Sequence, residues 1–548
     1  MGSQTKLKPM LFSNMKNYSF KQFGTDVVAG IIVAIIALPL SIALALASGV
    51  GPEEGLYTAI VAGFIISFLG GSRVQIAGPT AAFATIVAGI VATKGMEGLA
   101  MATIFAGVLL ILMGVFRLGS LIKFIPYTIT TGFTAGIAVT ILIGQIKDFL
   151  GLTYPAGTVT IETTEKVGAI AANIGTINWQ AVLVGVICLL IQIVWPKVSK
   201  KIPGSLIAVA VGIILVKVVG LNVNTIGDLY EIRAGLPSLK VPAFDFATLR
   251  SVAGDGFTIA ILAAIESLLS CVVADSMINS HHRSNMELIA QGAGNIGSAL
   301  FGGIPATGAI ARTAANIKNG GRTPIAGMVH SLCLILVLVV LMPYAALIPM
   351  PTIAAILFMV AYNMCQWRTF VHLCKTAPKS DVFVLVITFV LTVVFDLVVA
   401  IEIGMVLACL LFMKRMSDES GINGWKYYDP DEDPDGPELK DVPKHLRVYE
   451  ISGPMFFGDA DLIAQIGFKD FTRALVIRMR GVPAIDATAM HSFEQLYERC
   501  KANGVQLVFS HVNEQPMATM EKDGFVELVG RENFQPHIDD ALKRAAEI

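Results

Sequence analysis

Charge is scarce in this chain: Asp, Glu, Lys and Arg make up 15% of its 548 residues, against about 25% in a typical soluble domain. Hydrophobic residues reach 54%, an excess that a water-soluble core cannot absorb. Neither sign of charge prevails, the net being −1 at pH 7, so no basic field speaks for nucleic acid as a partner. The seven cysteines (Cys188, Cys271, Cys333, Cys365, Cys374, Cys409 and Cys500) lack CxxC spacing and stand mostly in apolar runs. That pattern reads as small buried hydrophobes rather than a disulfide framework or metal site. Histidines adjoin only at His281-His282, in an expected loop. No Walker motif or Ser/His/Asp signature stands in a fitting context. Neither ATP-driven transport by this chain alone, nor an enzyme activity, nor a cofactor is expected.

The chain is rich instead in apolar runs of about 18 to 22 residues, the length that crosses roughly 30 Å of hydrocarbon at 1.5 Å per residue. Hydropathy punctuated by Gly, Pro and charge predicts spans near residues 26–48, 54–69, 79–92, 97–116, 124–146, 179–195 and 205–219. A second set follows near 255–275, 286–301, 308–317, 324–342, 346–362, 382–398 and 400–413. The expected architecture is an all-α membrane domain of about fourteen spans in two sets of seven. Lys6, Lys8, Lys16 and Lys21 come before the first span or at its approach, with no cleavable leader pattern, so that span is expected to be retained.

Basic residues follow the even-numbered spans: Arg117 and Lys123, then Lys197, Lys200 and Lys201, then His281 to Arg283, Lys318 and Arg322, Arg368, Lys375 and Lys379, and Lys414 and Arg415. This bias predicts cytoplasmic N- and C-termini. After Arg415 the run from Asp429 to Pro437 reads as a hydrophilic linker. The expected domains are a cytoplasmic segment 1–20, a transmembrane domain 21–415, an acidic linker 416–443 and a soluble domain 444–548. In the last, strand patterns at Leu446–Ile451, Ala474–Arg478 and Val505–Phe509 alternate with helical patterns at Asp459–Gln465, Thr488–Lys501 and Ile538–Ala546. Such alternation indicates an α/β layer fold.

Two spans are too short to cross. The third follows Arg73-Val74-Gln75-Ile76-Ala77-Gly78-Pro79-Thr80 and the tenth follows Gly302-Gly303-Ile304-Pro305-Ala306-Thr307-Gly308. Both are extended, Gly/Pro-punctuated stretches entering a half-length helix, at corresponding places in the two sets of seven. That pairing points to an inverted repeat with a site at the bilayer midplane. A helix N-terminus presents free N–H groups and about half a positive charge, so two that face each other make an anion site from backbone alone. The candidate contacts are Thr80, Ala81 and Ala82 on one side and Ala309, Ile310 and Ala311 on the other, with Leu44 as an apolar wall.

Arg312 stands on the second half-helix, where a lone guanidinium is costly. It either lends positive potential to the substrate or serves a structural ion pair or snorkel. Glu266 stands alone in the apolar run Ile259–Ser270. Loss of water disfavours its charged form, which makes it a candidate proton carrier. Ser270, one turn on, and a carbonyl near Gly308 offer the alternative of a sodium site with Glu266, and a purely structural carboxylate is the third reading.

These residues resemble those of the sulfate permease (SulP) anion transporters. The resemblance covers nearly the whole chain and rests on Asp26-Val27-Val28-Ala29-Gly30, Leu38-Pro39, Gly55-Leu56-Tyr57, Gly78-Pro79-Thr80-Ala81-Ala82, Ala264-Ile265-Glu266-Ser267-Leu268-Leu269, Gly302-Gly303-Ile304-Pro305, and Arg312 with Asn316. The segment from 444 resembles a STAS domain, with Asp486 to Met490 at that domain's loop-helix motif. The resemblance implies a seven-plus-seven inverted repeat with core and gate subdomains, an elevator-like movement and a homodimer; the bacterial inner membrane is the expected location, and recruitment of a cytosolic protein by the STAS domain is a further reading left open. Residues 311–316 and 265–267 are most similar to the C4-dicarboxylate branch of the family, while the sodium-coupled bicarbonate branch is also similar. The expected function is secondary active transport of a dicarboxylate, sulfate or bicarbonate, coupled to protons or sodium; an exchanger or channel is the rival.

Overall fold

In the computed structural model, residues 7–15, 18–120, 126–155, 158, 160–198, 202–232, 235–242, 245–395, 397–424, 442, 445–457 and 460–548 are described. The Asp429–Pro437 linker, Lys6, Lys16, Lys123, Lys200, Lys201, Lys444 and Asp459 lie outside them. The chain divides into two units, Met1–Met405 and Val406–Ile548.

The first unit is helical: α1 (Met10–Asn14), α2 (Phe20–Ala47), α3 (Pro52–Leu69), α4 (Ala81–Val115), α5 (Tyr127–Leu150), α6 (Thr163–Asn173), α7 (Trp179–Val198), α8 (Gly204–Val218), α9 (Ile226–Leu229), α10 (Phe246–Ile278), α11 (Ser284–Leu300), α12 (Ile310–Lys318), α13 (Ile325–Ala345), α14 (Met350–Cys365), α15 (Trp367–Thr376), α16 (Lys379–Val394) and α17 (Leu397–Asp418), the last running on into the second unit. Two short strands, β1 (Ala77–Gly78) and β2 (Thr307–Gly308), precede α4 and α12. Among the described residues, eight helices are long and apolar enough to cross a membrane.

Each of the fourteen expected ranges overlaps a helix, the one at 124–146 starting outside the described residues and the one at 382–398 straddling the end of α16 and the start of α17. Local chemistry explains the ends. Ser19 Oγ accepts the Gln22 N–H to start α2, and an Asp245 carboxylate oxygen accepts the Thr248 N–H to start α10. Pro39 lies inside α2 and has no N–H for the Ile35 carbonyl. The third and fourth spans are one helix broken at Gly95, whose φ of 69° and ψ of −174° suit only a residue without Cβ. Two further helices, α6 and α15, occupy stretches expected as loops.

The long helices sort into two packed groups, each drawing on both halves of the chain. In one, α10 and α11 pack on α4, α11 also packs on α3, and α13 lies against α2 and α3. In the other, α14 and α16 pack on α5, and α7 lies against α8 and α14. Two such groups, touching through α4 with α5 and α2 with α14, are compatible with the core and gate that the resemblance implies.

The second unit holds a five-stranded sheet in the order β3 (Gly421–Gly424), β4 (Leu446–Ser452), β5 (Ala474–Gly481), β6 (Gln506–Ser510) and β7 (Phe534–Gln535). β3 lies within the stretch expected as linker and pairs antiparallel with β4 as an edge, whereas β4 to β7 are parallel. The helices are α18 (Ala460–Ala464), α19 (Ala487–Ala502), α20 (Glu514–Asp523), α21 (Phe525–Val529) and α22 (Ile538–Ala546). The apolar face of α19, with Phe493 and Leu496, closes one side of the sheet, and Ile538, Ala541 and Ala545 of α22 close the other.

Candidate functional site

β1 and β2 pair antiparallel, Ala77 opposite Gly308 and Gly78 opposite Thr307. In such a pair the chain leaves at opposite ends. The helices α4 and α12, which begin just beyond the strands, therefore run apart with both N-termini turned to the crossing. Neither first turn has a side-chain cap.

Irregular backbone at membrane depth must be satisfied by protein, and here it is. Glu287 of α11 accepts hydrogen bonds from the Gly71 and Ser72 N–H groups at 2.8 and 3.1 Å, and from Gln75 Nε2 at 2.7 Å. Gln291 Nε2 and Ser267 Oγ donate to the same carboxylate at 3.0 and 3.4 Å. Asn316 Nδ2 donates to the Val74 carbonyl, and Thr313 Oγ1 accepts the Ile76 N–H. Asn295 bonds both the N–H and the carbonyl of Ala306. The crossing is tight: a Cβ on Gly308 would fall 2.5 Å from the Gln75 amide, and one on Gly78 would collide with the Arg312 guanidinium, so either side chain would have to shift.

The crossing brings together residues far apart in sequence. Thr80, the residue preceding α4, does not cap that helix. Its Oγ1 instead donates to Glu266 Oε2 at 2.9 Å, from α4 across to α10. Thr307 Oγ1 donates to the Ala263 carbonyl at 3.0 Å, which docks β2 on the same helix one turn before Glu266. Ser270 follows Glu266 by a turn and is buried, and its hydroxyl has no partner. Leu44, Ala81 and Ala82 belong to one buried apolar cluster. On the opposite side Ala309 is half-buried, whereas Ile310 and Ala311 are exposed. The two helix starts are thus unequal, the first packed in protein and the second open.

Arg312 is 1% exposed. Its Nη2 donates to Ser41 Oγ and to the Pro79 carbonyl, both at 3.2 Å, while Nε and Nη1 have no partner. Among the described residues no carboxylate pairs with it, so none of them compensates its charge. Nearby His330 on α13 is fully buried with neither ring nitrogen bonded, and it lies close enough to feel the charge of Arg312. One face of α10 is half-buried at Glu266 and Leu269 and exposed at Val273 and Met277. Leu262, on that face toward the other end, is fully buried.

The sequence reading did not single out Gln75, Ser267, Glu287, Asn295 or His330. A signal existed for part of this set: Glu287, Gln291 and Asn295 recur every four residues in an expected span, which places a polar stripe on one helix face.

Comparison with known proteins agrees with this architecture. The sulfate permease family matches residues 23–388 and the STAS domain matches 437–541. A Bacillus subtilis protein named "Putative sulfate transporter YvdB" is 39% identical over 97% of this chain and 99% of its own length. The bicarbonate transporter BicA of Picosynechococcus is 32% identical over 96% of this chain and 95% of its own. The solved structure of the murine Solute Carrier 26 family member A9 anion transporter in the inward-facing state superposes with a TM-score of 0.89 at 20% identity, covering 99% of this chain and 94% of that one. At that identity the likeness concerns the fold.

Proposed function

Because this chain belongs to the sulfate permease family, we propose that it is a multi-pass secondary active transporter that holds a small oxyanion between the starts of α4 and α12 and couples its movement to a proton on Glu266. The observation that carries the reading is the antiparallel crossing of β1 and β2. It aims two uncapped helix starts at one place beside Glu266.

The substrate contacts are the backbone at Thr80, Ala81, Ala82, Ala309, Ile310 and Ala311, with Leu44 behind the first helix start. Two helix dipoles supply positive potential without a mobile side chain. Arg312 adds a full charge that no carboxylate cancels, and it acts as a field from behind the crossing. Sulfate, bicarbonate and a C4-dicarboxylate share what this arrangement recognises: carboxylate-like or tetrahedral oxygens that accept from N–H groups. The names of the relatives favour the first two.

Glu266 suits coupling because protonation changes its charge beside the anion, and Thr80 ties that change to the first turn of α4. Sodium in place of the proton is the second reading. It is favoured by the unpartnered hydroxyl of Ser270, which with Glu266 and the Gly308 carbonyl offers oxygen ligands. An elevator-like slide of the core group against the gate group carries the site between faces. The α10 face from Glu266 to Met277, half-buried at Glu266 and Leu269 and exposed at Val273 and Met277, then opens to the cytoplasmic side of a bacterial inner membrane, where both termini lie. The chain works as a homodimer, with the STAS domain docking a cytosolic protein.

The test is radiolabelled uptake into proteoliposomes from a panel of the three anions, with proton or sodium gradients applied separately. An inward proton gradient is expected to drive accumulation, and Glu266→Gln to abolish the drive while leaving exchange at equal pH. Unchanged gradient-driven accumulation by Glu266→Gln would reject the coupling role.

A further inference from the structure

Residues 7–15, which precede the first span, dock on the ends of α3 and α11, and the anion site does not account for them. A helix as short as α1 does not hold itself. This one is held by the protein: Met10 and Leu11 are buried, the Met10 N–H donates to the Gly70 carbonyl at 2.8 Å, and Arg73 Nε donates to Asn14 Oδ1 at 3.0 Å. The Arg283 guanidinium, at the start of α11, donates to the Lys8 and Pro9 carbonyls at 2.7 and 3.3 Å and to Ser13 Oγ at 2.9 Å. Its backbone N–H goes to the Gly71 carbonyl at 3.0 Å. The stretch Gly70–Arg73 is thus gripped both by this segment and by Glu287, and it leads directly into β1 and the crossing.

The other face of the segment is open. Leu7, Phe12 and Met15 are exposed, Phe12 lies edge-on to Phe68 of α3 with ring centroids 6.1 Å apart, and Phe20, the first residue of α2, is 89% exposed. Because α2 is long and apolar enough to cross a membrane, these side chains stand where the chain enters hydrocarbon. The exposed charges around them have one sign: Lys8, Lys21, Arg73, Lys318 and Arg322. The carboxylates of this end are engaged by protein. Asp26 is buried and accepts from Tyr18, Gln22, Thr323 and the Arg322 N–H; Glu287 is buried against the loop; Asp275 pairs with His282.

An excess of cations at one end of a bundle follows from the way helices insert. That bias does not call for an apolar flap folded against the approach to the crossing. Exposed apolar side chains interleaved with cations are what an interfacial segment offers to an anionic membrane surface. We propose that residues 7–15, with the basic rim around them, bind the headgroup of an anionic phospholipid, and that the bound lipid holds the segment down on Gly70–Arg73 and so firms the approach to the crossing. A soluble phosphate carries the same charge but gives Phe12, Met15 and Phe20 nothing to enter, which is why the partner is a lipid. The inference is independent of which anion is carried and of how its movement is coupled.

The test uses the full chain in lipid nanodiscs. Phe12→Trp, with the four native tryptophans replaced by phenylalanine, is quenched by dibrominated phosphatidylglycerol or, separately, by dibrominated phosphatidylcholine. The anionic lipid is expected to quench at about tenfold lower mole fraction, the scale of two lysines near an anionic surface. That preference should weaken as salt is raised and shrink toward one in Lys8→Gln with Lys21→Gln. Val339→Trp, on the exposed face of α13, calibrates the assay, since both lipids should quench it alike. Hydrogen exchange over residues 68–78, read by mass spectrometry, is the second readout: it is expected to be about threefold slower in phosphatidylglycerol than in phosphatidylcholine discs, and the double variant should lose the difference. Equal quenching of Phe12→Trp by the two lipids, no quenching by either while Val339→Trp is quenched, a preference that survives the double variant, or its displacement by millimolar inorganic phosphate at constant ionic strength would overturn the lipid assignment. Unchanged exchange despite preferential quenching would overturn the hold on the crossing.

Discussion

The substitution Gly308→Ala puts the crossing itself under strain. A Cβ there falls 2.5 Å from Cδ and Nε2 of Gln75 and 2.8 Å from its Oε1, whereas carbon contacts settle at about 3.5–4.0 Å. The Gln75 amide must therefore retreat by roughly 1 Å. It cannot do so freely, because Nε2 donates to Ser267 Oγ at 2.9 Å and to Glu287 Oε1 at 2.7 Å, and Oε1 accepts from Cys271 Sγ at 3.0 Å. A retreat of that size breaks the bond to the Glu287 carboxylate, which is worth about 1.5–3 kcal/mol. Overpacking adds about 1–3 kcal/mol. Allowing for partial relaxation, the expected cost is about 2–4 kcal/mol. It should appear as a lowered midpoint of thermal unfolding, followed by tryptophan fluorescence of detergent-purified protein, and as weaker anion binding by calorimetry. Gly78→Ala, which strikes Arg312 instead, should weaken binding in the same way. Gly254→Ala is the control: the glycine is exposed inside α10 with nothing within 4 Å of its would-be Cβ, so alanine is neutral or stabilising by up to about 1 kcal/mol. If Gly308→Ala melted and bound like the parent, or no worse than Gly254→Ala, the tight crossing would not be what shapes the site.

Glu287→Leu leaves the Gly71 and Ser72 N–H groups and the Gln75 amide without their acceptor; at about 1–3 kcal/mol for each buried unpaired group, it should lower the melting midpoint more than Glu287→Gln does, and equal midpoints would contradict the bracing role. In the second unit, burial pushes the Cys500 thiol up to about 11, and the side chain is 1% exposed. Alkylation at pH 8 followed by mass spectrometry should leave Cys500 unmodified until the domain unfolds, and early modification would show that the α19 face carrying it is not packed on the sheet. The sign of the linkage follows from the same shift: the unfolded thiol ionises near about 8.5 and the folded one later, so this group's contribution is present below that pH and is lost as pH rises toward 11. A Cys500→Ala variant should flatten the alkaline limb of the domain's stability.

Much of the membrane domain could be read in one dimension because the bilayer imposes a length. A run such as Ile325–Ala345 is apolar for long enough to cross, and Gly95 or the Gly/Pro clusters before Thr80 and Gly308 mark where helix must stop. Glu266 and Arg312 stood out for the same reason, as single charges in apolar context. The helices α6 and α15 escaped notice because amphipathic stretches with several charges look like loops on a hydropathy scale. β3 and β7 escaped because strands of four and two residues carry no alternation, and their hydrogen bonds come from partners distant in the chain.

Sequence alone marked which stretches are apolar enough to enter a membrane, where Gly/Pro breaks precede helix and which residues there are small, since each of these is a local property of composition and spacing. Which groups meet was decided only by the tertiary structure. Thr80 reaches Glu266 across 186 residues, Glu287 holds a loop more than two hundred residues earlier, and Arg312 rests on Ser41 in place of a carboxylate. Hydrogen bonds of about 3 Å between distant helices depend on packing angle and register. No periodicity along the chain encodes them.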